Sequence, residues 1–145
     1  MTPVEFAFTE YFGEKEVKGQ KDNPAILDLF NHLGYPGNKL KDETAWCAAF
    51  VNYCLSKTGH NHSAKLNARS LLDVGEDVID PMFGDIVVLW RESPQSWKGH
   101  VGFFIRERRG WIYVLGGNQN NEVNITAYSK NRLLGYRRPM INWIT

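Results

Sequence analysis

The spacing of apolar positions changes near residue 80, from helical before it to strand-like after it. Residues 3–12, PVEFAFTEYF, suit a short opening helix in which Phe6, Phe8, Tyr11 and Phe12 supply apolar bulk, and Gly13 ends it. The polar segment EKEVKGQKDN reads as a loop. Asn23 then stands where a cap is wanted and Pro24 at the first helical position, where its missing N–H costs nothing. That second helix runs through Ile26, Leu27, Leu29, Phe30 and Leu33 to Gly34, and GYPGN makes a turn. The stretch 42–54, DETAWCAAFVNYC, predicts a third helix with Thr44 as its N-cap and Asp42 and Glu43 ahead of it, where negative charge suits the helix dipole. Cys47, Phe50, Val51, Cys54 and Leu55 fall on one apolar stripe of it. KTGHNHSAK is a loop, and 67–74 suits a short helix closed by Gly75.

From residue 81 the runs PMFGDIVVLW, GHVGFFIRE, GWIYVLGG, EVNITAY and LLGYRRP are short, β-branched and aromatic, with glycines between them. They predict an antiparallel sheet, with Arg109-Gly110 as a hairpin turn between strands 101–108 and 111–115. The expected fold is α+β: a helical N-terminal half packed on a sheet formed by the C-terminal half, in one domain spanning 1–145. Asp85, at the start of the first strand, is expected to satisfy backbone donors.

Composition narrows the function. A hydrophobic content of 43% with 13% aromatic residues excludes a disordered chain. The net charge of +1 hides an asymmetry: residues 1–90 carry 8 Lys/Arg against 13 Asp/Glu, and residues 91–145 carry 9 against 3. Two solvated faces explain this plainly; a basic strand surface that holds an anionic substrate is the sharper reading. No nucleic-acid partner is expected, because the basic residues form no long run and no helix-turn-helix or zinc-finger pattern is present. No apolar run is long enough for membrane insertion, and the Met1 end lacks a secretory leader pattern. The expectation is synthesis in the cytoplasm without a signal peptide.

Candidate chemistry is sparse. Cys47 and Cys54 are seven residues apart, roughly 10 Å along one helix and beyond the ~7 Å reach of a disulfide. Two free thiols are expected. A thiol in the first turn feels the positive end of the dipole, which favours thiolate; the same place also suits a small residue that only packs. His100, preceded by Gly99, opens an apolar strand. Asn118 and Gln119 follow directly on the strand WIYVL in GGNQNN. His60 and His62 have a spacing seen in metal sites, but no further ligand follows closely, so they read as solvent-exposed loop residues and no metal is expected. Trp46, Trp97 and Trp111 could line a cleft; core packing suits Trp46 and Trp111 at least as well, and Trp97, in SPQSWKG, is the better substrate wall. Glu43 could contact substrate, though capping is the simpler role.

Helix cysteine, strand histidine, then an amide or carboxylate at the end of the next strand is the chain order of papain-like thiol hydrolases. With DETAWCAAFVN, ARSLL, FGDIVVL, GHVGFF, VLGGNQNNEVNI and GYRRP in this order, the chain resembles the NlpC-type and CHAP (cysteine- and histidine-dependent amidohydrolase/peptidase) cell-wall hydrolases. It is similar to a small branch seen in phage lysins and antibacterial effectors. The resemblance implies a papain-like fold, Cys47 as nucleophile, His100 as general base and Asn118 as the residue that orients the ring, with no cofactor. Many CHAP enzymes carry a glutamate two residues before that asparagine; here the place is Gly116, and Gln119 is the alternative orienter or a substrate contact. The implied partner is a peptidoglycan stem peptide, with an immunity protein if the chain is an effector. The implied activity is a peptidoglycan endopeptidase or an N-acetylmuramoyl-L-alanine amidase, reaching the wall by phage lysis or by delivery. A wall-binding module of the same fold and a thiol acyltransferase are the rivals.

Overall fold

The computed structural model describes residues 1–14, 24–35 and 45–143. Among the described residues three α-helices, α1 (Pro3–Tyr11), α2 (Pro24–His32) and α3 (Ala45–Lys57), precede a six-stranded sheet. Its strands are β1 (Glu76–Val78), β2 (Ile86–Trp90), β3 (Gly99–Arg108), β4 (Trp111–Gln119), β5 (Glu122–Ser129) and β6 (Leu133–Arg138). They lie in the order β1-β6-β2-β3-β4-β5, and every pairing is antiparallel. The α+β expectation holds, with the helices first and the sheet after.

Local chemistry accounts for these boundaries. Thr2 caps α1, its hydroxyl accepting the Glu5 amide at 3.3 Å, and Pro3 takes the first turn. The expected caps Asn23 and Thr44 lie outside the described residues, as does Glu43. The short helix expected at 67–74 is a 3-10 turn over Ala68–Asp73. At the β3–β4 hairpin Arg109 and Gly110 both have positive φ, 51° and 80°, the pair of values that a two-residue turn matched to strand twist requires. The expected strand over 81–90 begins only at Ile86. The residues ahead of it turn around Asp85, which accepts the Met82 amide at 2.7 Å and both Nε and Nη2 of Arg138 at 3.1 and 2.9 Å. Asp85 thus serves backbone and guanidinium together.

The core lies between α3 and one face of the sheet. Ile86, Val88, Val101, Phe103, Leu115 and Val123 form that face, and Phe50 meets Phe103 edge-on with ring centroids 6.4 Å apart. Helices α1 and α2 cover α3 from outside. The expected stripe is buried, but so are Ala48, Ala49 and Asn52, all with no exposure. From Trp46 to Asn52 the helix is enclosed on every side and belongs to the interior rather than to a surface. Its one polar residue there, Asn52, is satisfied by the following loop: it donates to Ser63 Oγ and the Lys65 carbonyl and accepts the Ser63 amide, at 2.9–3.0 Å. The opposite face of the sheet holds a second, smaller cluster of Val87, Leu89, Phe104, Ile112, Val114 and Tyr136.

Candidate active site

Packing at Gly117 brings the start of α3 onto β4. A Cβ there would lie 2.9 Å from Phe50 Cβ and from the Trp46 ring, so only glycine lets the helix approach this closely. Trp46 is therefore a core residue, 3% exposed. Cys47, next to it, is fully buried in the first turn of α3, and its sulfur feels the backbone amides of Val101, Ala48 and Cys47 itself. Val101 follows His100 on β3, so helix and strand meet where β3 begins.

His100 is fully buried and pairs across the sheet with Leu89. Its ring packs against Tyr128, with centroids 5.1 Å apart. Its Nε2–H donates to Gln119 Oε1 at 2.9 Å. The carboxamide of Gln119 is held in that orientation from behind: its Nε2 donates to the Val114 and Asn124 carbonyls and to Asn124 Oδ1, at 2.7–3.1 Å. With the amide nitrogen committed to acceptors, the oxygen must face His100. The proton therefore sits on Nε2, and Nδ1 carries the lone pair, towards which Arg91 Nη2 points from 3.4 Å.

Gln119 reaches the ring because β4 has one residue too many. Between the pairs Gly116↔Asn124 and Gln119↔Glu122, β4 advances three residues while β5 advances two. Asn118 adopts φ 57° in this bulge, and the side-chain alternation shifts by one place after it. The ring contact thus belongs to Gln119, 2% exposed, and not to Asn118, the position singled out by the resemblance. Gly116 is part of the same arrangement. A Cβ at 116 would come within 2.6 Å of Gln119 Oε1 and 3.3 Å of His100 Nε2. The glutamine amide fills the space that a side chain from position 116 would take.

Electrostatics set the resting protonation. Burial lowers the His100 pKa from 6.5 to about 4, against the opposing effect of Gln119 and with help from the charges of Arg91 and Arg132. Burial also pushes the Cys47 thiol up, while Arg91 and the three amides pull it down. Desolvation thus outweighs the helix dipole at Cys47, so burial opposes the thiolate there as it opposes the imidazolium at His100.

Arg91 went unnoticed in the sequence. It is half-buried just after β2, its Nη2 lies 3.4 Å from His100 Nδ1, and its charge acts on His100, Cys47 and Tyr128. Arg69 was also missed. Its Nε, Nη1 and Nη2 donate to the carbonyls of Lys98, Pro94 and Ser93 at 2.9, 2.7 and 3.0 Å, pinning the loop that links β2 to β3. ARSLL carried the residue, but nothing local says that three carbonyls distant in sequence converge on it. On this loop Trp97 is 65% exposed and borders a small cleft with Leu66, Asn67, Ala68, Lys98 and Gly99, next to His100. Trp111 is 51% exposed at the hairpin, so it belongs neither to the core nor to this cleft.

His60 and His62 lie elsewhere and are half-buried rather than solvent-exposed; His60 Nδ1 is 3.0 Å from the Thr58 hydroxyl. Among the described residues, no three His, Cys, Asp or Glu side chains come together as a metal site, and no helix is long and apolar enough to cross a membrane.

The family model of the CHAP domain matches residues 39–118, more than half of the chain. Comparison with curated proteins finds no match.

Proposed function

The chain belongs to the CHAP domain family, whose members are hydrolases of peptidoglycan, and from this we propose that it cuts an amide bond in or beside the stem peptide by a cysteine mechanism. Cys47 is the nucleophile, His100 the base and Gln119 the residue that orients it. The observation that carries this reading is the fixed tautomer: Gln119 holds the proton on Nε2 and leaves Nδ1 as the acceptor.

In the first step Nδ1 takes the thiol proton as sulfur attacks the amide carbon. The tetrahedral oxyanion is met by backbone N–H groups, with that of Cys47 in the first helical turn as one donor. The C–N bond breaks, the imidazolium returns its proton to the departing amine, and an acyl thioester remains. Water then attacks that carbonyl, Nδ1 takes the water proton, and the carboxylic product leaves as the thiol is restored. Because burial opposes both the thiolate and the imidazolium, proton transfer accompanies attack rather than preceding it. No cofactor enters these steps.

The reading extends to an endopeptidase acting between stem residues, reaching the wall by phage lysis or by delivery into a competitor, where an immunity protein would oppose it. Purified protein incubated with intact muropeptides tests it by mass spectrometry. New pairs of amine and carboxylate termini are expected, and their position separates endopeptidase from muramoyl amidase. Joined peptides would instead mean acyl transfer. Unchanged material across a range of pH would mean a binding module and defeat the proposal.

A further inference from the structure

Four cations of the sheet region are matched by carboxylates: Lys98 with Glu92 at 2.7 Å, Lys130 with Glu107 at 3.0 Å, Arg137 with Asp77 at 3.1 Å and Arg138 with Asp85 at 2.9 Å. The two guanidiniums whose charges act on His100 are not. Arg91 makes one long contact, 3.4 Å from Nη2 to His100 Nδ1, and has no carboxylate partner among the described residues. Arg132 donates from Nε to the Trp90 carbonyl at 3.0 Å and lies over the Trp90 and Tyr128 rings, 5.9 and 5.5 Å from their centroids. It too lacks a carboxylate among the described residues. Both are half-buried, and their charges act together on one imidazole.

We propose that Arg91, together with Arg132, is the receptor for a carboxylate of the substrate, so that the site selects stem peptides bearing a free carboxylate near the scissile amide. Stem peptides carry such groups, and a guanidinium takes a carboxylate through two parallel N–H···O bonds. The same contact explains why a cation stands beside a base at all. At rest Arg91 points a donor at Nδ1, the nitrogen that must accept the thiol proton. A carboxylate is the stronger acceptor, so its arrival draws the guanidinium off Nδ1 and frees the lone pair. It also neutralises a charge that opposes imidazolium formation. The base is thus fully available only when the correct substrate is seated, which places part of the recognition energy in the reactive complex.

This inference rests on the hydrolase reading, and a binding measurement separates the two. Matched muropeptides with free carboxylates, or with the same groups as carboxamides, are titrated calorimetrically into the Cys47→Ala protein. At least a tenfold tighter binding of the free-carboxylate form is expected. Adding Arg91→Gln should erase the preference and adding Arg132→Gln should reduce it, with circular dichroism verifying that each variant is folded. Equal binding of both forms, including no binding of either, overturns the receptor. So does an undiminished preference after Arg91→Gln. A preference in binding without cleavage by the unmodified enzyme upholds the receptor and defeats the hydrolase; cleavage without a preference does the reverse.

Discussion

Cys47 and Cys54 sit on the same helix, both with no exposure and both with thiols pushed up by burial. What differs is the surroundings. Cys54, deep in the packing of α3, has only its own backbone amide to oppose desolvation, and its pKa lies well above the usual value. Cys47 has the charge of Arg91 and three backbone amides, one of them from β3. Burial is common to both, so it does not set the two thiols apart. The polar groups that face each sulfur do.

The largest effect expected from this contrast is on turnover. Cys47→Ala should lower muropeptide hydrolysis by at least about 10³-fold while the protein stays folded. Cys54→Ala should keep its activity and lose only about 1–2 kcal/mol of stability to the small cavity left behind. An inactive but folded Cys54→Ala alongside an active Cys47→Ala would reverse the assignment.

Next comes the residue behind the base. Gln119→Ala removes the acceptor for Nε2–H and should reduce kcat by about 10²-fold, whereas Asn118→Ala should cost clearly less. Equal losses would mean that the bulge as a whole matters rather than the amide. Gln119→Glu sharpens the test, because a carboxylate against Nε2 favours the imidazolium. The acid limb of the pH–rate profile should then move upward from its low starting point near the His100 pKa of about 4.

A smaller difference separates the thiols chemically. Iodoacetamide should alkylate Cys47 faster than Cys54 in the native protein, read by peptide mass spectrometry, and Arg91→Gln should narrow the gap. Similar rates in the unsubstituted protein would remove the distinction.

The smallest effect is on folding. His100 titrates near 6.5 when unfolded and about 4 when folded. Between those values the unfolded chain binds the proton that the folded one refuses, so stability should fall as pH drops through that window. Above 6.5 the contribution is complete. Urea titrations from pH 7 to 4 should show this slope, and His100→Gln should flatten it; an unchanged slope in the variant would assign it to other groups.

Much of the fold was legible because glycine and proline punctuate it. Gly13, Gly34 and Gly75 each fall within a few residues of the end of a predicted helix, and Arg109-Gly110 closes the hairpin where expected. The missed strand β1 has three residues, EDV, two of them exposed. It exists through its pairing with β6 and has no alternation of its own to read. The helix α3 looked one-sided because alanine carries little hydropathy, yet Ala48 and Ala49 are buried as completely as Phe50. Cys47 and His100 stood out as candidates because their residue types announce chemistry. Arg91 did not, because its importance comes from the β2–β3 pairing that sets it beside His100. Nor does sequence alone distinguish Asn118 from Gln119, since the bulge arises from how β4 and β5 pair.

That bulge bears on how a site is transferred between related chains. Along a strand the facing side is a matter of parity, and one inserted residue exchanges odd for even from there onward. The family match ends at residue 118, one short of the amide that holds the histidine. Counting positions from the motif therefore arrives at a residue of the right chemical type on the wrong parity. For chains of this kind, the residue that holds the histidine ring is found by asking which amide has its nitrogen already committed behind it.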